Sequence, residues 1–335
     1  MRKTLAVVSP LVFFVSLFWA AAQSQSYTYI RIGQKSDAKT IPAFGIAMMG
    51  GGTDLDEAFR WLCHKGNSGD FLILRALGDD DYNAYVNGLC KTNSVATLVI
   101  PDRTAAQDPA VVEIIRHAEA IFIAGGNQAR YVNFWKGTAV QEALNAGIAE
   151  GKPIGGTSAG LAVLGEFSYG ALADTPDGPD LASTDVLPDP YFHQVTLVRD
   201  FLKIPLLHNV ITDSHFAKRD RMGRSLGFLA RIMQDGWDKH PREIAIDEKS
   251  AVLVEGDGNA MIVGSGKDAY FMRPSTHPMI CKPKTPLTFR KVSVYKAPAG
   301  AHFNLHSWTG RGGVNYELSV DEGNIQSTQA GASIY

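Results

Sequence analysis

Three shortages in the sequence narrow the range of possible functions. Only three cysteines occur in 335 residues, and they form neither a CxxC pair nor a His/Cys cluster with zinc-site spacing, so no metal is expected. The formal net charge is only −2, which gives no basic surface for nucleic acid or an anionic membrane. After residue 22 no apolar run is long enough to cross a bilayer. A globular enzyme or binding module of ordinary composition remains.

The first 22 residues have the pattern of an export signal. Arg2 and Lys3 precede an apolar stretch over 5–19, and three alanines at 20–22 offer a cleavage site. An uncleaved membrane anchor is the alternative, but the apolar run is short for that role. The sequence therefore predicts a signal peptide over 1–22 and a secreted or periplasmic protein that is free of the membrane after cleavage.

Short apolar segments alternate with helical patterns through the first half of the chain. The predicted strands lie at 44–48, 71–74, 95–100, 120–124 and 152–154. This alternation is typical of an α/β fold with a doubly wound, mostly parallel sheet and helices on both faces. Further strands at 244–246, 251–254, 261–263, 270–272 and 292–295 are expected to form antiparallel edges near the C-terminus.

These patterns predict one α/β domain over residues 42–320. Residues 23–41 are polar and are interpreted as a linker or loose strand, and the Gly-, Ser- and Gln-rich residues 321–335 as a frayed tail. Cys63 and Cys90 fall near the ends of two predicted helices that flank one strand, so they can meet in a disulfide; buried free thiols are the alternative.

A candidate nucleophile lies on the turn after the strand at 152–154. Gly-Thr-Ser-Ala-Gly at 156–160 fits the G-x-S-x-G pattern, in which a strained strand-to-helix turn exposes the serine hydroxyl. Gly156 and Gly160 supply the small residues that such a turn requires. Ser158 is therefore the predicted nucleophile, and the N–H of Ala159 a predicted oxyanion donor.

A second glycine loop follows the strand at 120–124. Gly-Gly-Asn-Gln at 125–128 lets the backbone approach a ligand closely. Gly126, or alternatively Gly125, is expected to supply the second oxyanion donor. Gln128 is expected to hydrogen-bond polar groups of the substrate.

The predicted general base is His215, one of nine histidines. It follows a strand over 209–212, which puts it at the edge of the sheet where ligands bind in such folds. Four cations occur within residues 218–224, where a helix begins, although the helix dipole there favours anions. A clamp for substrate carboxylate or carbonyl groups accounts for them better than a solvated surface.

Together these motifs resemble the cyanophycinases, which belong with the aspartyl dipeptidases in one serine peptidase family. The resemblance rests on 125–128, 156–160, Asp-Ser-His-Phe-Ala-Lys-Arg-Asp-Arg-Met-Gly-Arg at 213–224, and Ile-Asp-Glu-Lys-Ser-Ala-Val-Leu at 246–253. It implies a fold like that of class I glutamine amidotransferases, with serine in place of their cysteine. It also implies an exopeptidase that cuts the β-aspartyl-arginine polymer cyanophycin, or related isoaspartyl peptides.

The resemblance also implies roles for individual residues. Ser158 is the nucleophile and His215 the base, while the acid that follows the serine is best matched by Asp174 and next by Glu166. The implied substrate-binding residues are Gln128, Asp213, Arg219, Arg221 and Arg224. One departure is Ser214, where the family usually has glutamine, so a shorter side chain faces the substrate.

Two other functions are compatible with the same motifs. An α/β-hydrolase esterase shares the G-x-S-x-G turn and the order serine, acid, histidine along the chain, although its histidine usually lies near the end of the chain. A non-catalytic module that binds a peptide or sugar is the second. A glutamine amidotransferase is disfavoured because the G-x-S-x-G turn has serine, not cysteine, at position 158. No cofactor is expected, the partner is a peptide substrate, and a homodimer is left open.

Overall fold

The computed structural model describes residues 26–175, 180–266 and 268–335, and the apolar segments of the sequence form strands within them. The strands are β1 (Thr28–Gly33), β2 (Gly45–Met49), β3 (Asp70–Arg75), β4 (Ser94–Val99), β5 (Ala120–Ile123), β6 (Ile154–Thr157), β7 (Phe167–Tyr169), β8 (Leu197–Arg199), β9 (Val210–Asp213), β10 (Arg242–Ile246), β11 (Ser250–Glu255), β12 (Asn259–Gly264), β13 (Ala269–Pro274), β14 (Phe289–Ala297), β15 (His302–Asn304), β16 (Thr309–Arg311), β17 (Val314–Asp321) and β18 (Asn324–Ser327). The helices are α1 (Asp56–Lys65), α2 (Asp81–Leu89), α3 (Pro109–His117), α4 (Gln128–Trp135), α5 (Ala139–Ala149), α6 (Ala159–Ala162), α7 (Ser183–Val186) and α8 (Met222–Gln234).

Ten strands form the first sheet, in the order β1-β4-β3-β5-β6-β2-β11-β12-β15-β16. Strands β4, β3, β5, β6 and β2 run parallel, and the others pair antiparallel at the two edges. Leu72 and Leu74 pack with α3 and α5 on one face, whereas Phe71 and Ile73 pack with α1 and α2 on the other. Burial on both faces explains why these strands are apolar throughout. The predicted mixed α/β architecture is confirmed.

Eight strands form a second sheet, in the order β18-β17-β14-β13-β10-β9-β7-β8, which the sequence analysis did not predict. The strands expected after residue 245 are present, but only β11 and β12 of that set extend the first sheet; β10, β13 and β14 join the second. An apolar pattern identifies a strand without identifying its partner. The prediction of a single sheet is therefore wrong.

Both ends of the described chain are better ordered than predicted. Part of the expected linker forms β1, which pairs antiparallel with β4. The expected tail forms β18, and the ring of Tyr335 packs against Phe216 and Tyr270. An aromatic side chain at the end of a polar segment supplies the contact that composition alone does not reveal. The predicted signal peptide over 1–22 lies outside the described residues.

A disulfide links the two helices on one face of the first sheet. Cys63 near the end of α1 bonds Cys90, which follows α2, and Cys281 is a buried free thiol. The two cysteines therefore meet as the sequence allowed. In the part of the chain that the structure describes, no helix has the length and apolarity needed to cross a membrane.

Candidate active site

Ser158 occupies a strained turn between β6 and α6. Its backbone has φ +53° and ψ −117°, a conformation that L-residues with a side chain rarely adopt and that costs about 1–3 kcal/mol. A Cβ atom at Gly156 would lie 2.6 Å from the carbonyl carbon of Gly160, and one at Gly160 would lie 2.0 Å from the carbonyl oxygen of Ile123. The glycines are thus required by main-chain packing, and the turn holds the serine hydroxyl clear of the sheet.

His215 reaches Ser158 from the second sheet. It lies two residues beyond β9, and its Nε2 is 2.8 Å from Ser158 Oγ. The backbone N–H of His215 donates to the carbonyl oxygen of Gly50 at 2.8 Å, and this bond ties His215 to the loop after β2. A Cβ atom on Gly51 would lie 2.5 Å from the imidazole, so this loop packs directly against the ring. The two residues that sequence analysis paired are brought within one hydrogen bond.

Glu248 is the carboxylate that contacts this histidine. His215 Nδ1 lies 2.7 Å from Glu248 Oε1, on the side of the ring away from Ser158. Glu248 belongs to the turn between β10 and β11, where the chain passes from the second sheet to the first. Ser158, His215 and Glu248 therefore form a continuous hydrogen-bonded chain of hydroxyl, imidazole and carboxylate.

Neither acid named from the sequence contacts the imidazole. Asp174 accepts hydrogen bonds from Tyr169 Oη at 2.7 Å and from Gln194 Nε2 at 3.3 Å. Glu166 accepts the backbone N–H of Asn209 at 2.5 Å. Asp174 or Glu166 was expected beside His215, but the carboxylate in contact with its imidazole is that of Glu248. The sequence did contain a signal for Glu248. The segment Ile-Asp-Glu-Lys at 246–249 places this carboxylate just after a predicted strand, as His215 also lies just after one.

The environment of His215 keeps its imidazole neutral. Burial lowers the pKa of His215, and the nearby cations Arg219 and Arg221 lower it further, while the bond to Glu248 acts in the opposite direction without reversing the result. The hydrogen bond from His215 holds the pKa of Glu248 below its usual range. A neutral imidazole beside an ionised carboxylate is the state in which Nε2 can accept a proton from the serine hydroxyl.

Asp213 and Arg224 form a buried ion pair behind the cleft. Arg224 Nε donates to Asp213 Oδ2 at 2.8 Å and Arg224 Nη2 to Asp213 Oδ1 at 2.6 Å. Their side chains are 4% and 1% exposed. Burial opposes ionisation of Asp213, but Arg224 and Arg221 outweigh it and lower its pKa. Both residues were expected to bind substrate. Their charged groups are bonded to each other, and Arg224 forms part of the inner wall of the cleft, whereas Asp213 does not line it.

Arg219 and Arg221 present their charges nearer to the cleft. Arg221 Nη1 donates to the carbonyl oxygen of Ser214 at 2.8 Å, and Arg221 Nη2 donates to Asp180 Oδ2 at 3.0 Å. Arg219 Nη1 donates to the same Asp180 oxygen at 2.6 Å, and its side chain is 43% exposed. Of the three arginines, Arg219 is the most accessible to a ligand.

The predicted residues converge on one polar cleft of about 190 Å³. Gly125 lies close to the nucleophile, since a Cβ atom there would be 3.5 Å from Ser158 Cβ. The residues that line the cleft include Gly126, Gln128, Ser158, Ala159, Asp174, Asp180, Ser214, His215, Arg219, Arg221 and Arg224. Among the residues described, no group of three or more His, Cys, Asp or Glu side chains is arranged to hold a metal ion.

Two curated proteins are similar to this chain over part of its length. The chain is 28% identical over 175 residues to a cyanophycinase from Synechococcus elongatus, an alignment that covers 51% of this chain and 47% of that protein. It is 26% identical over 214 residues to a cyanophycinase from Geminocystis herdmanii, covering 62% and 70% of the two chains. The chain thus spans about half the length of the first of these relatives.

A solved peptidase from an acI-B1 Actinobacterium superposes with a TM-score of 0.49 at 17% identity, covering 79% of this chain and 98% of that one. Residues 53–188, which contain the serine turn, match the sequence profile of Peptidase family S51. The resemblance predicted from the motifs is therefore confirmed: residues 53–188 are similar to Peptidase family S51, and the chain is similar to the cyanophycinases.

Proposed function

We propose that this protein is a serine peptidase that hydrolyses β-aspartyl-arginine peptides or related isoaspartyl peptides. The observation that carries the proposal is the chain of two hydrogen bonds from Ser158 Oγ through His215 to Glu248, at 2.8 and 2.7 Å. A hydroxyl, a neutral imidazole and a carboxylate in this order are the components of nucleophilic acyl transfer.

In the proposed reaction, Ser158 Oγ attacks the carbonyl carbon of the scissile amide while His215 Nε2 takes the hydroxyl proton. The tetrahedral oxyanion is held by the N–H groups of Ala159 and Gly126, which line the same cleft. His215 then gives the proton to the leaving amine, and water releases the acyl group from Ser158 by the reverse sequence. Glu248 fixes the Nδ1–H tautomer and stabilises the imidazolium that forms.

The polar lining of the cleft suits a charged peptide. Arg219 is half exposed and Arg221 lies beside it, so the two can receive a substrate carboxylate in competition with Asp180. Gln128 can bond a substrate carbonyl or amide from the opposite side. Ser214, in place of the family glutamine, reaches less far, and we propose that it alters the choice of the neighbouring substrate residue.

The proposal includes three further expectations from the resemblance and the N-terminal pattern. The parallel part of the first sheet is doubly wound in the manner of class I glutamine amidotransferases. The protein is exported by the signal over 1–22 and acts in a secreted or periplasmic location. A homodimer is compatible with this function, and the cleft as described uses residues of one chain.

The test is hydrolysis of cyanophycin and a panel of β-aspartyl dipeptides, read by mass spectrometry. We expect dipeptide release by the purified protein and none by Ser158→Ala. Glu248→Gln should lower kcat about 100-fold or more, because the imidazole loses its orienting carboxylate, whereas the matched variant Asp174→Asn should keep most of kcat. Peptide hydrolysis retained by Ser158→Ala would contradict the proposal, as would hydrolysis of p-nitrophenyl esters with no action on any peptide.

A further inference from the structure

The carboxylate of Asp54 contacts the turn that carries Ser158 from outside the cleft. Thr157, the residue before the nucleophile, donates its hydroxyl to Asp54 Oδ1 at 2.6 Å. The other oxygen, Asp54 Oδ2, accepts from Tyr82 Oη at 2.5 Å. Thr157 is only 3% exposed, and none of these three described residues lines the cleft. The contact therefore acts on the turn without reaching a substrate.

Strand alternation explains why Thr157 points this way. Successive side chains of β6 point to opposite faces of the sheet, so Gly156 faces α6 and Thr157 faces the layer that contains α1 and α2. Asp54 lies just before α1, and Tyr82 lies in the first turn of α2. The hydroxyl of Thr157 thus meets the point where the starts of these two helices come together.

The strained serine needs support that its own residue does not provide. A non-glycine residue at φ +53° persists only where its surroundings fix it. The main chain supplies one anchor, since Ser158 N donates to the carbonyl oxygen of Met49 at 3.2 Å. The side-chain bond of Thr157 to Asp54 supplies a second anchor at the adjacent residue.

We infer that Asp54 is a positioning residue for the nucleophile: held by Tyr82, it fixes Thr157 and so the direction of Ser158 Oγ. This inference rests on the proposed function, in which Ser158 attacks the substrate. Because the bond lies outside the cleft, its loss should misplace the reacting oxygen while leaving the substrate contacts intact. The expected signature is a lower kcat with little change in KM.

The test uses Thr157→Val, which removes the hydroxyl and keeps the shape of the side chain. We expect its kcat on a β-aspartyl-arginine peptide to fall about 10-fold or more, with KM within about twofold, because a small displacement of a reacting atom is costly. Thr157→Ser keeps the hydroxyl and should restore most of kcat. Asp54→Ala should resemble Thr157→Val, and the double variant should be no slower than either single one.

A matched control separates positioning from general loss of stability. Thr97 of β4 also donates a buried hydroxyl to a residue of α2, Asn83 Oδ1, at 2.8 Å, but β4 is separated from β6 by two strands. Thr97→Val should keep kcat. An equal fall of kcat in Thr97→Val, or an unchanged kcat in Thr157→Val, would overturn the inference.

Ser158→Ala, assayed in parallel, distinguishes the two proposals. Retained hydrolysis in Ser158→Ala means that the proposed function has failed. An inactive Ser158→Ala beside a fully active Thr157→Val means that only the positioning inference has failed. The rate at which a fluorophosphonate modifies Ser158, followed by mass spectrometry, gives the same comparison between the threonine variants without a peptide substrate, and equal rates would count against the inference.

Discussion

The two sides of the cleft are held by different forces. On the side of Ser158, apart from the bond of Thr157 to Asp54, the turn is fixed by main-chain atoms in contact, with Gly156 and Gly160 leaving no room for a side chain. On the side of His215, the turn over residues 216–221, called here the basic turn, is fixed by buried charges, of which Asp213 and Arg224 are the most enclosed. The first support is steric and short-ranged, whereas the second is electrostatic and depends on exclusion of water.

This difference predicts how each side fails. The serine turn should fail when atoms are added, since every available space is taken by backbone. The basic turn should be destabilised when Arg224 is removed, since the buried Asp213 carboxylate is then left with the longer 3.3 Å ion pair to Arg221. The proposed reaction requires Ser158 and His215 to stay within one hydrogen bond of each other, so damage to either support should reduce peptide hydrolysis.

Gly160→Ala tests the steric side and should have the largest effect on peptide hydrolysis. The new Cβ would lie 2.0 Å from the carbonyl oxygen of Ile123, so β5 and the turn must separate. We expect the free energy of unfolding to fall by about 3 kcal/mol and peptide hydrolysis to become undetectable. Urea denaturation and a peptide assay measure the two effects.

Gly88→Ala is the matched control for that substitution. Gly88 lies in α2, where an added Cβ meets nothing within 4 Å. Alanine in a helix is favoured over glycine by roughly 0.5–1 kcal/mol, so this variant should be as stable as the parent or slightly more so. A Gly160→Ala protein with normal stability and activity would show that main-chain contact does not hold the serine turn.

Arg224→Met tests the electrostatic side. It removes the bidentate partner of the 4%-exposed Asp213 carboxylate, which retains a 3.3 Å ion pair with Arg221. Loss of one member of a buried pair costs about 3–5 kcal/mol, and the remaining Arg221 should hold the cost near the lower end of that range. Adding Asp213→Asn should recover part of that loss, because the stranded charge is removed. Arg219→Met, at an exposed pair, should change the free energy of unfolding by about 1 kcal/mol or less. Equal effects of the two single variants would remove the distinction between buried and exposed charges.

The sequence predicted the first sheet better than the second for a physical reason. Strands such as β3 and β5 are buried on both faces and separated by helices, so their continuous apolar runs indicate both the strands and their parallel pairing. Strand β17 mostly alternates buried and half-buried residues, and β14 mixes buried and exposed ones. Such patterns do not specify which strand lies alongside. Division into two sheets depends on those long-range pairings.

The candidate site shows the same limit. Ser158 was evident because its glycines are local in sequence, and His215 because it follows a strand. Glu248 was missed because its contact with His215 is made across the junction of two sheets, 33 residues along the chain. Spacing after the serine favoured Asp174 instead, which in fact accepts from Tyr169. The ion pair between Asp213 and Arg224 was not evident either, since burial decides whether a charge meets another side chain.

A second buried acid, Glu243, lies close to Asp213 beneath the basic turn. Its substitution tests the electrostatic side further and should have the smallest effect. Glu243 of β10 is fully buried, accepts from Ser225 Oγ through Oε1, and has no partner at Oε2 among the described residues. Burial raises its pKa well above the usual range, and the Asp213 charge adds to this, while Arg224 opposes it. Neighbouring acids on one buried face therefore differ: Asp213 is held ionised and Glu243 protonated.

Glu243→Gln should consequently stabilise the protein at alkaline pH. Because the pKa of Glu243 is higher folded than unfolded, its contribution is fully present below the unfolded pKa and is lost as pH rises toward the folded one. Glutamine keeps an acceptor for Ser225 and never ionises, so the variant's gain in free energy of unfolding should be near zero at pH 4 and grow to about 1 kcal/mol or more at pH 8. Urea denaturation across this range measures the difference. A gain that is constant with pH, or a loss that grows with pH, would mean that Glu243 is ionised in the folded protein and that Arg224 compensates both acids rather than Asp213 alone.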